Sequence, residues 1–304
     1  VVRGVEERRD GSVPYWRQVL RYSTKGCLQA VLDEYLHIVR ESQGLVDEEP
    51  HEIAEAAAGV LTEALSLRTV SLRTDSPRIG GDARVEIERR RMRAHYALRF
   101  GDEHAETGET LTRTASVREA FNSPFWPFVV ATTSMGQEGL DFHCYCHAVV
   151  HWNLPSNPVD LEQREGRVHR YKGHAVRKNV ALRYGLEGAL AGGPEEEGLF
   201  DPWDRLFARA RADRDPDATD LVPFWVYPVD GGARIERYVP ALPLSRDAAR
   251  LEALLRSLVI YRAAIGQPRQ QDLVDYLLSH LPPDEIGSVV EALRIDLTPP
   301  NADA

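Results

Sequence analysis

One stretch near the centre of the chain decides the fold class: FVVATTSMGQEGLDF, at residues 128–142. It opens with Phe128 to Thr132, a short apolar and β-branched run of the kind that is buried in a parallel sheet. A second such run follows at Ala148 to Trp152. A helix is predicted over Val159 to His169, and a last strand over Val180 to Leu182. This order predicts an α/β fold, in which functional groups gather in loops at the carboxyl ends of strands.

The amino-terminal part of the chain predicts two helices and a short strand. Apolar side chains recur at helical spacing from Thr24 to Glu41, and Gly44 is the expected stop. A second helix, rich in Ala and Glu, is predicted over Glu49 to Leu65. The strand is expected at Thr69 to Arg73, where it ends in the turn signal Asp75-Ser76-Pro77.

Arginines crowd the segment from Arg84 to Arg99. Two interpretations stay open for the cluster Arg89, Arg90, Arg91 and Arg93. It is either an exposed helix face that pairs with Glu86 and Glu88, or a contact surface for nucleic acid.

Bulk composition narrows the class of protein. The 304 residues are 43% hydrophobic and carry a net charge of −10. They include only three cysteines, a number that suits a protein of the reducing cytoplasm. No apolar run reaches the ~18 residues that a membrane span needs, so no membrane partner is expected. The acidic total argues against a protein that coats nucleic acid. A local basic stripe, with seven Lys or Arg against three acids between Asp160 and Tyr184, still allows a polyanion to dock.

Two segments carry candidate chemistry. Directly after the first predicted strand, hydroxyl side chains and glycines allow backbone N–H groups to approach a phosphate closely, which makes Thr132, Thr133 and Ser134 candidate contacts. The alternative is a structural role, in which these hydroxyls hydrogen-bond to the nearby backbone in ST-turns at the end of the strand. In the second segment, QREGRVHR at residues 163–170, Arg167 and Arg170 lie three apart and are expected on one helix face. The alternative there is a solvated face with salt bridges to Glu162 or Glu165.

These two segments, in this order across a strand, resemble motifs V and VI of superfamily 2 helicases. The version here is similar to the Swi/Snf-like branch and related bacterial helicases, as is the turn WNLPSNP at residues 152–158. The resemblance implies a RecA-like parallel sheet flanked by helices, the second lobe of a P-loop NTPase-type motor. This lobe is expected over residues 1–188, with a linker at 1–22. A smaller, mostly helical accessory region is expected over residues 189–304.

The resemblance also implies roles for single residues. Arg167 and Arg170 would be arginine fingers that stabilise the transferring γ-phosphoryl group, a role worth about 10³ to 10⁵ in rate. Four residues would contact ATP: Gln163, Gly139, Asp141 and Gly166. Six would contact nucleic acid, with DNA favoured over RNA: Thr132, Thr133, Ser134, Gly136, Lys172 and Lys178.

Two further expectations concern cofactors. The sequence contains no G-x-x-x-x-G-K-[ST] loop and no Asp-Glu pair after a strand, so ATP and Mg²⁺ are expected to be held mainly by a separate N-terminal RecA-like lobe. The isolated chain should then not turn over ATP. No resident metal is expected, because HCYCH at residues 143–147 lacks the usual spacing of zinc ligands. The rival interpretation is a non-catalytic scaffold, derived from a helicase lobe, that binds nucleic acid or protein.

Overall fold

The computed structural model of the chain describes residues 28–46, 48–66, 70–79, 81, 84–94, 116–125, 127–132, 141–190, 201–266, 269–282, 284–293 and 295. The chain divides into two compact units. The first is formed by Val1–Tyr145 with Tyr184–Arg209, and the second by Cys146–Arg183 with Ala210–Ala304. Each unit thus combines segments that are distant in sequence. The predicted boundary at residue 188 is not one of these division points, and it stays a prediction.

Two amphipathic helices open the described part of the first unit: α1, Leu28–Ser42, and α2, Pro50–Ser66. α1 turns its apolar face inward, where the ring of Tyr35 lies 6.3 Å from the ring of Tyr145 between centroids. Gly44 follows with a φ of +69°, a left-handed conformation that favours glycine and ends the helix. Both helix predictions are confirmed over the described residues.

A long antiparallel hairpin follows, made of β1, Val70–Ile79, and β2, Val85–Ala94, paired residue for residue along their whole length. The predicted turn at Asp75-Ser76-Pro77 is wrong, because β2 continues opposite these residues. A proline is tolerated there since both strands of a two-stranded sheet are edges. Within the arginine-rich segment, residues 85–94 form a strand, so the predicted helix is wrong, although Arg90 does pair with Glu88 as that interpretation expected.

In the second unit, β3, Ala148–Val150, pairs in parallel with β4, Glu236–Tyr238. The pairing extends by two backbone hydrogen bonds, from His151 N to Tyr238 O at 2.9 Å and from Glu236 N to His147 O at 2.8 Å. The predicted strand at Ala148 to Trp152 is confirmed in place, although it is shorter than expected.

Residues 116–121 are also helical. Further helices over the described residues of the two units are α3, Pro158–Gly166; α4, His174–Leu190; α5, Pro202–Ala212; α6, Asp247–Ala263; α7, Gln270–His280; and α8, Ile286–Leu293. α4 is interrupted at Gly185, whose φ of +60° is not helical. A core cluster joins Leu154 and Leu161 to Leu254 and Leu258 of α6. The other end of α6 packs through Ile260 and Ala264 against α7. None of the helices in the described part of the chain is long and apolar enough to cross a membrane.

Two strand predictions are wrong. Residues 127–132 have no regular secondary structure, and Val129 is 84% exposed, because no other described segment pairs with this run. Val180 to Leu182 lies inside α4, where Val176 and Val180 are buried and Leu182 is exposed. That pattern is helical, and a run of three apolar residues cannot distinguish a strand from a buried helix segment.

The mixed α/β class is confirmed. The strands in the described residues form two separate two-stranded sheets, one antiparallel and one parallel, and not the expected single parallel sheet. The parallel pair joins a strand of the predicted lobe to a strand of the predicted accessory region. That region, described from residue 201, is otherwise helical and irregular.

Candidate nucleotide and nucleic-acid site

The arginine segment begins where α3 ends. Asn157 caps the helix through its Oδ1, which accepts a hydrogen bond from Asp160 N at 2.8 Å. The last helical residue is Gly166, and Arg167 is the C-cap with φ −71° and ψ −22°. The predicted helix over Val159 to His169 is thus too long at its carboxyl end. Arg167 and Arg170 lie on the turn after the helix, so the expectation that they share one helical face is wrong.

Gly166 and Arg170 lie close together beside this turn. A Cβ added at Gly166 would be 3.9 Å from Arg170 Nη1, so the guanidinium lies over the helix end. Gln163, on α3, is exposed. These three residues belong to the second unit.

Glu162 and Glu165, the possible salt-bridge partners of the two arginines in the sequence analysis, are bound by other side chains. Glu165 accepts hydrogen bonds from Arg237 Nε at 2.5 Å and Nη2 at 2.6 Å, and His151 Nε2 lies 3.1 Å from its Oε1. Glu162 accepts from both Nε and Nη2 of Arg262. We call Glu165, Arg237 and His151 the clamp. It fixes the end of α3 to β4 just ahead of Arg167.

The clamp keeps the carboxyl of Glu165 ionised. Burial alone would raise its pKa, but the hydrogen bonds and positive charge of Arg237, with the hydrogen bond from His151, more than offset burial. They lower the pKa of Glu165 to about 2. The same contacts raise the pKa of Arg237 above its ordinary value. Glu165 and Arg237 are therefore both charged throughout the physiological range.

Two members of the predicted basic stripe are buried, which corrects the expectation of a continuous exposed surface. Lys172 is 7% exposed, and its backbone adopts a φ of +46° while its N–H donates to Phe224 O at 2.7 Å. Arg177 is fully buried, and its Nη1 donates to Lys172 O at 2.6 Å. Lys178 is half-buried on α4. Of the two lysines predicted to contact nucleic acid, only Lys178 is placed where a phosphate could reach it.

A rigid loop faces the arginine turn across a cavity. Asn179 holds this loop through three hydrogen bonds: its Nδ2 donates to Tyr227 O at 2.7 Å and to Ala233 O at 2.8 Å, and its Oδ1 accepts from Ala233 N at 2.6 Å. A Cβ at Gly232 would come within 2.4 Å of Asn179 Oδ1, so only glycine fits there. The cavity encloses about 310 Å³, and its lining includes Val168, Arg170, Trp225, Tyr227 and Arg234.

The histidines near the arginines are packed. The rings of His147 and His174 lie 5.2 Å apart between centroids. Burial, with the nearby charges of Arg177 and Lys178, lowers the pKa of His174 to about 2, so its imidazole is neutral at ordinary pH. His169 is exposed, and its Nε2 lies 3.1 Å from Trp225 O. The burial of His174 favours a packing role over contact with a phosphate.

The segment after the first predicted strand is only partly described. Thr132 is exposed, and Asp141 is half-buried, with its carbonyl accepting from Asn122 Nδ2 at 2.8 Å. Four predicted contact residues lie outside the described residues: Thr133, Ser134, Gly136 and Gly139. Both described residues belong to the first unit.

Within the described residues, one group of side chains has ligand atoms close enough for a metal ion: His37, Asp201 and Asp204. Arg40 already supplies a cation there, with its Nη1 2.7 Å from Asp201 Oδ2 and 3.5 Å from Asp204 Oδ2. Glu41 adds a third carboxylate, 3.5 Å from His37 Nε2. The cluster is thus a charge network that joins α1 to the start of α5. The HCYCH run at 143–147 is not among such groups in the described part of the chain.

Sequence reasoning missed Arg237, His151 and Asn179. Arg237 is separated from Glu165 by 72 residues, and Asn179 from Ala233 by 54. Nothing local marks such partners. The one available signal was the pattern Arg-Ile-Glu-Arg-Tyr-Val at residues 234–239, an alternating run of the kind that forms a strand.

Comparison with known families bears on the same region. Residues 107–172 match the family model of the helicase conserved C-terminal domain, which includes both candidate segments. This supports a helicase C-terminal domain in that part of the chain, a type of domain associated with nucleic acid. Searches of curated proteins and of solved structures each found no match.

Proposed function

We propose that this chain is the C-terminal motor lobe of an ATP-dependent helicase or translocase of superfamily 2, similar to the Swi/Snf-like branch. A RecA-like lobe of this kind closes on a separate N-terminal lobe, which holds most of the ATP and Mg²⁺. The observation that carries the proposal is the family match over residues 107–172, because it spans both motif segments in their expected order.

Arg167 and Arg170 are the arginine fingers in this proposal. Support comes from their place in the sequence, because both lie within the segment that matches the helicase conserved C-terminal domain. A finger acts only if its charge is directed at the developing negative charge of the γ-phosphoryl group.

The remaining contacts follow the same motifs. Gln163, Gly166, Gly139 and Asp141 border the nucleotide, and Thr132, Thr133, Ser134 and Gly136 track the phosphates of one strand. Lys178, in the second unit, is a further proposed contact to phosphate. Such contacts act on phosphate and not on base edges, so binding should be sensitive to salt and nearly independent of sequence. DNA is the favoured substrate.

The test is ATPase kinetics in a protein that contains this chain together with a phosphate-binding lobe. Arg167→Ala and Arg170→Ala should each lower kcat by about 10³-fold or more and change KM far less, because a finger acts in the transition state. Lysine should rescue poorly, since a point charge cannot reproduce the bidentate guanidinium.

Arg183→Ala is the matched control, because Arg183 is an exposed arginine of the same unit and lies outside both motifs. Its kcat should remain within about twofold of wild type, as is usual for a surface substitution away from a site. An ATPase that tolerates Arg167→Ala and Arg170→Ala as well as it tolerates Arg183→Ala would leave the scaffold interpretation in place of the motor.

A further inference from the structure

The two faces of the β1–β2 hairpin differ in chemistry. Successive side chains of a strand point to opposite faces, and directly paired residues share a face. The register pairs Ile79 with Val85 and Pro77 with Ile87 at the turn end, so these four residues lie on one face. Ile79 is 80% exposed, Val85 66% and Ile87 64%. The turn end of the hairpin therefore carries an apolar tip.

Arginines lie behind the tip on that same face. The next pairs are Asp75 with Arg89 and Arg73 with Arg91. Arg89 and Arg91 are both exposed, and Arg89 Nε lies 3.5 Å from the Asp75 carboxylate in an open, solvated pair. Two residues along a strand advance about 7 Å, so the two guanidinium groups can contact successive positions of an extended polyanion.

The opposite face is neutralised within itself. Arg78 Nε lies 3.1 Å from Glu88 Oε2, and Arg90 Nη2 lies 2.9 Å from the same oxygen. Glu86 adds a second acid on this face. The positive charge that remains available is thus concentrated on the face with the apolar tip.

The hairpin departs from the charge of the whole chain. Between residues 70 and 94 there are seven arginines and four acids, a surplus of three positive charges in a chain of net charge −10. The side chains described between residues 75 and 91 are exposed, except for that of Ser76, which is half-buried. A contiguous exposed apolar tip backed by cations marks an interaction surface.

We propose that this hairpin is a nucleic-acid-binding arm that engages a duplex where it opens into single strands. Arg89 and Arg91 contact the phosphates of the duplex, and the tip formed by Pro77, Ile79, Val85 and Ile87 packs on the base pair exposed at the junction. A two-stranded ribbon fits a duplex groove, and apolar side chains pack against bases where stacking is broken. The identity of the polyanion as nucleic acid rests on the proposed function.

A base face is accessible only where stacking ends, so the tip and the arginines make different predictions. The tip predicts a preference for a fork over a blunt duplex. The arginines predict affinity for both, with a dependence on salt.

The experiment measures binding of the whole chain by fluorescence anisotropy to a forked duplex, a blunt duplex and a single strand, each at several salt concentrations. Ile79→Ser with Ile87→Ser should weaken binding to the fork at least about 5-fold and leave the blunt duplex nearly unchanged, given about 1–3 kcal/mol per stacked base. Ile79→Phe should strengthen binding to the fork, which separates lost stacking from lost folding.

Arg89→Ala with Arg91→Ala should weaken binding to both duplexes and reduce the slope of log affinity against log salt by about 1.8, the value for two phosphate contacts. Arg78→Ala with Arg90→Ala is the matched control. It removes the same charge from the hairpin but from the paired face, so its slope should change by less than half as much.

Several outcomes would overturn the arm. These are wild-type binding by the tip and Arg89/Arg91 variants, equal losses from both arginine pairs, or tip-dependent binding to anionic lipid vesicles in place of nucleic acid. If the hairpin variants bind like wild type but ATPase activity still depends on Arg167, the arm proposal fails and the proposed motor function is retained. If fork binding depends on the hairpin but ATPase activity does not depend on Arg167 and Arg170, the arm proposal is retained and the proposed motor function fails.

Discussion

The clamp and the hairpin use the same residue type in opposite ways. In the clamp, Arg237 is half-buried and holds Glu165 through two hydrogen bonds. On the hairpin, Arg89 and Arg91 extend from an exposed strand, where the one acid on their face pairs only loosely. The difference lies in burial, since the carboxylate that Arg237 holds is 14% exposed and the one beside Arg89 is 58% exposed. Exposed arginines are instead available to a partner.

The largest effect on stability is expected at the loop that Asn179 holds in the second unit. Asn179→Ala removes three hydrogen bonds and leaves backbone groups of the half-buried residues Tyr227 and Ala233 without these partners. The free energy of unfolding should fall by about 3 kcal/mol, at about 1 kcal/mol or more for each bond. Chemical denaturation measures it. The exposed Asn153→Ala is the control, expected within about 0.5 kcal/mol of wild type.

Acid should destabilise the second unit through His174. Its folded pKa of about 2 lies below its unfolded value, so the unfolded chain binds the proton first. Stability is therefore full above pH 6.5 and falls as the pH drops, by up to about 1.4 kcal/mol per unit.

Denaturation at pH 7, 6 and 5 measures this effect, and about 2 kcal/mol should be lost by pH 5. His147 shifts in the same direction because burial lowers its pKa as well. Glu165 does not contribute in this window, since its stabilisation is lost only between about pH 4.5 and pH 2. In His174→Gln the profile between pH 7 and pH 5 should be flatter, and an unchanged profile would contradict the assignment.

Arg237→Met tests the clamp directly. It leaves Glu165 half-buried with only His151 beside it, and the expected loss is about 1–2 kcal/mol, below that of a fully buried pair because Arg237 is partly solvated. Arg262→Met is the matched control, since Arg262 pairs with Glu162 on the exposed surface. The control should lose less than about 1 kcal/mol. Equal losses from both variants would mean that burial does not distinguish these pairs.

The smallest effect on stability is expected on the hairpin. Arg89→Ala should change the free energy of unfolding by less than about 0.5 kcal/mol, because its pair with Asp75 is exposed. Thermal melting provides the measurement. A loss above about 1 kcal/mol would show that this arginine is structural, and the contrast with the clamp would disappear.

Sequence predicted those parts of the fold that depend on local pattern. Helices α1 and α2 follow from apolar spacing, and Gly44 ends α1 by its backbone conformation. The strand β3 was also predicted, but its partner β4 was not, since the two are joined only across a long separation. The run at 128–132 is predicted to be a buried strand because β-branched residues favour strands. A strand also needs a partner, and composition does not show whether one is present.

The candidate site divides in the same way. Residue types and spacing identified the two motif segments, and the family match covers both. The end of α3 before Arg167 was missed because its clamp to Arg237 is non-local. The burial of Lys172 was missed for a related reason, since its backbone is held by the carbonyl of Phe224. Charge counted along a sequence overstates what reaches the surface.

The parallel pair of β3 and β4 also sets the order in which a ribosome can complete the second unit. Residues 148–150 and Glu165 are synthesised well before their partners at 236–238. Contacts that span such distances form late in folding, and an unpaired strand edge invites aggregation until they do. A gene fragment ended at residue 188 would fix the nascent chain in that incomplete state, with β3, Glu165 and Asn179 deprived of their partners. The shortest fragment suited to expression therefore extends beyond Tyr238.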